Sequence, residues 1–144
     1  MKIYFASQSF YPHIGGVSTY LLNLQKELKK RGNEVVELHL RTSGSPDYEI
    51  VEGIETYRVP KRPLNKKLLK GYSKFKEAIW KEIHGERGSF NRTPIEMEGY
   101  DEFVQINNIF GQEVRDVLNH NAPDLIHIHD FQLLYLYHYY LECF

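Results

Sequence analysis

The segment Phe10-Tyr-Pro-His-Ile-Gly-Gly-Val17 constrains the fold more than any other stretch of the chain. Before it, Lys2-Ile-Tyr-Phe-Ala6 is a short apolar run, rich in β-branched and aromatic residues, which predicts a buried strand. After it, apolar residues fall at Val17, Tyr20, Leu21, Leu24 and Leu28, the spacing of one face of a helix. The loop between strand and helix ends in Gly15 and Gly16, right at the helix start. Glycines there are expected to take dihedrals closed to other residues and to let a ligand approach the backbone. The helix start adds unpaired N–H groups and the positive end of the helix dipole, a combination that suits a phosphate or carboxylate.

The order of elements extends this into a fold class. The first helix runs to about Arg31, where Gly32 stops it, and Glu34-Val-Val-Glu-Leu-His-Leu40 reads as a second strand. Strand, helix, strand over residues 1–40 is the opening of a doubly wound, Rossmann-like α/β domain with a mostly parallel sheet. Two short extended pieces follow, Tyr48 to Val51 and Ile54 to Val59, separated by Glu52-Gly53 and stopped by Pro60. A helix is expected over Asn65 to Ile83, with Leu68, Leu69, Tyr72, Phe75, Ile79, Trp80 and Ile83 on its apolar side. Its other face carries Lys66, Lys67, Lys70, Lys74 and Lys81, a candidate for peripheral membrane contact or for a solvated surface. Gly85 to Gly99 reads as a loop and Asp101 to Asn119 as a further helix. Asp124-Leu-Ile-His-Ile-His129 reads as a third main strand, and Phe131 to Phe144 is apolar and helix-like.

Composition narrows the function classes. The chain has 144 residues, a length for one domain with a real core, and a formal net charge of -1, which gives no global field to recruit nucleic acid. One cysteine, Cys143, excludes an internal disulfide and fits a reducing cytoplasm. No apolar run reaches membrane-spanning length, and the N-terminus lacks the layout of a signal peptide.

The strand ending at His129 supplies the second piece of chemistry. His127 and His129 point to one face of a strand and Ile128 to the other. His127 is expected to be a core histidine. His129 and Asp130 lie at the carboxyl end, on the same edge as the glycine loop, where an imidazole can bind a sugar hydroxyl or stabilise a leaving group. Two histidines and an aspartate without further convergent ligands do not make a metal site, and no cofactor is expected.

Taken together, these residues resemble the retaining GT-B glycosyltransferases of group 1, family 4. Phe10-Tyr-Pro-His-Ile-Gly-Gly-Val17 with Leu28-Lys-Lys-Arg-Gly-Asn-Glu-Val35 resembles that family's N-terminal signature. Gly53-Ile54 with Tyr57-Arg-Val-Pro60 resembles its next marker, and Pro123-Asp-Leu-Ile-His-Ile-His-Asp130 resembles its histidine-bearing strand. Residues 61–119 match in general character alone.

The resemblance implies two Rossmann-like domains facing across a cleft, with a nucleotide-sugar donor held mainly by the C-terminal one. Gly15 and Gly16 would then approach the donor diphosphate, and His129 would sit beside the transferred sugar. Asp130, Ser9 and His13 would shape the pocket for a carbohydrate or other hydroxyl acceptor. On this reading residues 1–144 form a single, incomplete N-terminal, acceptor-side domain, apparently truncated. Such a fragment is expected to be inactive alone and to self-associate through Leu133, Leu134, Leu136, Tyr137 and Tyr140.

Two other classes share part of this pattern. A dinucleotide-binding Rossmann domain shares strand, glycines and helix, but the chain lacks G-x-G-x-x-G, and Leu40-Arg41-Thr42 stands where an acidic residue is wanted. A non-catalytic carbohydrate- or anion-binding module would use the same loop without transfer.

Overall fold

The computed structural model describes residues 1–41, 44–85 and 93–133. Within them the strands are β1 (Lys2–Ser7), β2 (Glu34–Leu40), β3 (Tyr48–Val51), β4 (Ile54–Val59) and β5 (Leu125–Ile128), and the helices are α1 (Gly16–Lys30), α2 (Lys66–Ile83) and α3 (Tyr100–His120). Pro94–Glu96 and Phe131–Leu133 are short 3₁₀ turns. The sheet order is β3-β4-β2-β1-β5. All neighbours are parallel except β3, which pairs antiparallel with β4. The doubly wound class expected from the sequence is the fold observed.

Chain order and sheet order together locate the edge at which a ligand is expected. From β1 the chain moves by way of α1 to β2 on one side. It returns after α3 to β5 on the other side, so the connections diverge at the carboxyl ends of β1 and β5. Ligands of open α/β sheets bind in such a crevice. The register Ala6↔Ile128 brings the two strand ends level, and the backbone N–H of His129 donates to the Ala6 carbonyl at 2.9 Å.

Side-chain alternation divides the sheet between two cores. Tyr4, Ala6, Val36, Leu38, Leu40 and Val59 face α2 and α3, where they meet Tyr72, Phe75, Phe103, Ile106 and Phe110. Ile3, Phe5, Val35 and Ile54 face α1, meeting Phe10, Leu21 and Leu22. Parallel sheets covered on both faces usually read as unbroken apolar runs. Here the α1 side also buries Ser7, Glu37, His39, Thr56 and Arg58, so a polar lane runs along it toward the ligand edge.

Two glycine features fix local geometry. Glu52 and Gly53 both have positive φ, 51° and 85°, the two-residue turn whose twist suits a hairpin, and they close β3 onto β4. Gly99 has φ 87°, and a Cβ there would overlap the Gly71 carbonyl of α2. Glycine at this position lets the start of α3 close onto α2.

Several expectations need correction. Val17 and Tyr20 are exposed, because α1 turns Ser18, Leu21, Leu22 and Gln25 to the sheet instead. Trp80 and Ile83 are 51% and 53% exposed, because α2 buries only as far as Ile79. Asn65 does not belong to α2 but caps it, its Oδ1 accepting from the Lys67 N–H at 2.7 Å. Residues 134–144, which contain most of the apolar C-terminal segment and Cys143, lie outside the described residues, as do residues 86–92 of the expected loop. Among the described residues no helix is long and apolar enough to cross a membrane.

Candidate functional site

The α1 start keeps the features that drew attention to it, with one change of reason. Gly15 is extended, φ -175° and ψ 170°, which any residue adopts, and Gly16 begins the helix. Neither glycine has a positive φ, so the expected special dihedrals are not what they provide. What they provide is space: a Cβ at Gly16 would meet nothing within 4 Å, and one at Gly15 only Ser18 Oγ at 3.8 Å. No side chain caps the helix, and no acidic residue occupies its first turn. Its dipole and first N–H groups are thus neither matched nor covered by side chains.

His129 stands across the crevice from this helix. Its ring lies 6.0 Å from that of Tyr20, on the exposed flank of α1, and 6.0 Å from that of His127. His127 packs behind it on Phe5, ring centroids 5.0 Å apart. Burial, and then the neighbouring His129, lower the His127 pKa, but the residue is only half-buried on the outer strand β5 and not the core histidine expected. The two histidines share a face, as strand alternation requires.

Asp130 turns away from this arrangement. It has positive φ, 69°, and its charge is felt by groups on α2: it opposes the burial that lowers the Lys76 pKa, and it adds to the burial that raises that of Tyr72. Lys76 lies over the Tyr72 ring, 4.7 Å from its centroid, and its Nζ donates to Gln8 Oε1 at 2.9 Å. In the sequence Lys76 has no distinction from the lysines around it. Only the packing of α2 on the sheet brings it to the loop.

Ser9 and His13 occupy a second compartment. They line a cavity of about 200 Å³ with Gln8, His39, Arg41 and Arg58. Phe10 forms its floor, with its ring 6.4 Å from that of His39. Arg58 spans the cavity wall, donating through Nε and Nη2 to Glu49 Oε1 at 2.9 and 2.6 Å and through Nη2 to the Tyr11 carbonyl at 2.9 Å. Arg41 pairs with Asp47 and donates to the carbonyls of Ser45 (2.5 Å) and Arg58 (3.2 Å). Burial, and then the Arg58 charge, push the His39 imidazole down to about 3, so it is neutral. Beneath lies Glu37, fully buried between α1 and the sheet. Ser7 Oγ donates to its Oε1 at 2.5 Å and Gln25 Nε2 to its Oε2 at 2.6 Å, yet burial outweighs both and raises its pKa to about 8.

His39, Arg41, Arg58 and Glu37 were not among the residues singled out from the sequence. A signal was present: Glu37 and His39 interrupt an otherwise apolar strand at alternate positions, which puts both on one buried face. The expected residues therefore gather at one sheet edge but in distinct places. Gly15, Gly16 and His129 flank the β1–β5 crevice, Ser9 and His13 line the cavity beside β2, and Asp130 faces α2. Among the described residues no cluster of three or more potential ligands could hold a metal ion.

No protein-family model matches the chain. No curated protein matches it either. Solved structures do. An α,α-trehalose-phosphate synthase (UDP-forming) from Burkholderia vietnamiensis matches over 98% of the chain with a TM-score of 0.65 and 20% identity. An E. coli trehalose-6-phosphate structure bound with UDP-2-fluoro glucose matches over 99%, also with TM-score 0.65 and 20% identity. The α,α-trehalose 6-phosphate synthase of Burkholderia multivorans gives a TM-score of 0.59 over 97%. The chain spans 30% of the length of each of these proteins. At this identity the likeness defines the fold alone, a Rossmann-like half of the GT-B architecture.

Proposed function

We propose that this chain forms the acceptor-side wall of a sugar-transfer site, the N-terminal domain of a GT-B glycosyltransferase that moves a sugar from a nucleotide-sugar donor to a hydroxyl acceptor with retention. One observation carries the proposal: an uncapped helix start with two open glycines and the imidazole of His129 face one another across the sheet's switch point. The fold likeness to trehalose-phosphate synthases supports the same coarse chemistry, and the retaining assignment rests on the sequence resemblance to group 1, family 4 alone.

In this reading the N–H groups at Gly15 and Gly16 approach the donor diphosphate, where the helix dipole favours negative charge. The leaving nucleotide gains charge as the glycosidic bond breaks, so a donor array fixed in advance stabilises the transition state more than the ground state. His129 contacts the hydroxyls of the transferred sugar, and His127 and Tyr20 hold its ring in place. Ser9 and His13 belong to the acceptor side, while Asp130, which faces α2, has no part in the pocket.

Transfer needs a second wall to hold the nucleotide and exclude water. Residues 1–144 alone are therefore expected to show no turnover. The test is to express the protein from its full coding sequence and supply UDP-glucose with a panel of sugar acceptors. UDP release that depends on acceptor, with a product of retained anomeric configuration by NMR, supports the proposal. Binding of sugars without any donor-dependent product would leave the non-catalytic carbohydrate-binding module as the better reading.

A further inference from the structure

Ala6 and Ile128 pair across β1 and β5, and both pack on the α2 and α3 side of the sheet. Two positions beyond them stand Gln8 and Asp130, and both act on Lys76 of α2. Its Nζ donates to Gln8 Oε1 at 2.9 Å, and it feels the Asp130 charge. The almost wholly buried Tyr72 ring lies 4.7 Å from the same ammonium. Lys76 is half-buried. Burial lowers its pKa, and the Asp130 carboxylate opposes this, which works to keep the proton in place.

This contact fixes which way the Gln8 amide points. An ammonium has three donors and no acceptor, so the Gln8 atom that meets it is the carbonyl oxygen. The other end of the amide, Nε2 with its two N–H groups, is turned away from Lys76. It finds no acceptor among the described residues. Among these residues the unpartnered side-chain atoms sealed from solvent are Gln25 Oε1, His39 Nδ1, Arg41 Nε and Asn107 Oδ1. Gln8 Nε2 is not one of them, so it keeps accessible surface. Gln8 also lines the cavity beside Ser9 and His13. A loop glutamine ordinarily spreads over many rotamers, and a ligand that uses it must order it first. Lys76 has already done so here.

We propose that Gln8 is a ligand-binding residue of this edge, its Nε2 donating to a ligand oxygen, and that Lys76 is the positioning residue that aims it. The ligand group is an oxygen with a free lone pair, carried by a sugar or by a phosphate. In the sugar-transfer reading above, that oxygen belongs to the acceptor, because Gln8 shares its wall with Ser9 and His13. This assignment rests on that reading; the orientation of the amide does not. Asp130 acts at one remove, through the charge of Lys76.

The test is NMR on the isotopically labelled 144-residue chain, followed at the Gln8 side-chain carboxamide. In the wild-type chain its signals should be those of an immobilised side chain. Lys76→Met should release them to those of a mobile glutamine, whereas Lys76→Arg, which still donates, should keep them ordered. D-glucose and inorganic phosphate then serve as sugar and phosphate probes. One of them should move the carboxamide signals, and which one does so identifies the source of the oxygen. Gln8→Leu and Lys76→Met should each weaken that probe's binding, read at the Ser9 amide, about fivefold, and Lys76→Arg should restore most of it. Should Lys76→Met not fold, Gln8→Leu and the wild-type signals carry the test. A mobile carboxamide in the wild-type chain, or no response to either probe, overturns the proposal. An ordered amide with unchanged affinity in Lys76→Met overturns the role of the lysine. A probe response in a protein that shows no donor-dependent product supports the Gln8 and Lys76 roles and removes only their place on the acceptor. Turnover by the protein from its full coding sequence, with no response at Gln8, overturns those roles and leaves the transfer reading intact.

Discussion

Arg58 reaches from β4 to the Tyr11 carbonyl, 47 positions earlier in the chain, and donates to it at 2.9 Å while also binding Glu49. A side chain almost wholly buried, with Arg58 only 2% exposed, thus ties the loop after β1 to the sheet. Arg58→Met keeps the stem but leaves Glu49 and Tyr11 without their donor. Loss of one partner of a buried pair typically costs about 3–5 kcal/mol, and the partial exposure of Glu49 puts the expected loss at the lower end, about 3 kcal/mol. Urea unfolding measures this, and hydrogen exchange at His13, whose N–H donates to Phe10, should quicken. An unchanged midpoint and unchanged exchange would show that the tie is not what orders the loop.

Glu37 predicts an unusual pH dependence. Its folded pKa, about 8, lies above the ordinary value of 4.5, so between these values the folded state holds a proton that the unfolded state has lost. Stability is then fully present below about pH 4.5 and falls as pH rises toward 8, with a slope of about 1.4 kcal/mol per pH unit from this group. Glu37→Gln should remove that slope while keeping side-chain size. Denaturation midpoints of both proteins from pH 5 to 8 provide the comparison, and parallel curves would mean that Glu37 is not held neutral.

His129→Ala tests the transfer reading at its centre. Removing one donor that tightens in the transition state typically costs about 10²–10³-fold in turnover. Stability should change little, since His129 is only partly buried. The protein from the full coding sequence is the material, and turnover within a few-fold of wild type would make the residue structural.

Gly16→Val tests the open helix start. With no atom within 4 Å of the added Cβ and no positive φ to strain, the fold should tolerate valine to within about 0.5 kcal/mol. Donor affinity should nevertheless fall, because the side chain fills the space through which a diphosphate would reach the N–H groups. Calorimetric titration with UDP-glucose on the full protein measures this; equal affinity would remove the phosphate role.

The lysines of α2 give a negative expectation. Lys74 pairs with Glu98, Lys81 with Glu77 at 2.5 Å, and Lys76 binds Gln8, so this face carries less unmatched charge than its lysine count suggests. Co-sedimentation with vesicles of anionic lipid should be weak and insensitive to salt. Strong binding at low salt that is lost at high salt would instead mark a membrane-docking face built on the lysines with exposed Trp80 and Ile83.

Much of the architecture was readable from periodicity. The β2, β3 and β4 bounds agree with the apolar runs, and α1 to α3 begin and end within a residue or so of the expected places, because capping residues and glycines act locally. The ligand edge was also readable. Once β1 and β5 are parallel, the loop after Ser7 and the residues after Ile128 must emerge on the same side.

The sequence by itself determined the order of elements, the parallel sheet and the edge at which Gly15, Gly16 and His129 meet. Those follow from short-range rules, the period of apolar residues and the direction of strands. Tertiary structure decided which face each helix buries. Tyr20 and Trp80 are apolar at helical spacing yet exposed, since the amount of sheet beneath a helix is set by distant strands. It also decided the polar lane. Glu37, His39 and Arg58 lie on different strands, and only the β2–β4 pairing and the cover of α1 and the loop remove them from water together. Burial then neutralises Glu37 and His39, whereas Arg58, which cannot give up its charge, is held by Glu49 and Tyr11. Desolvation depends on everything that surrounds a group, and that sum does not exist until the chain has folded.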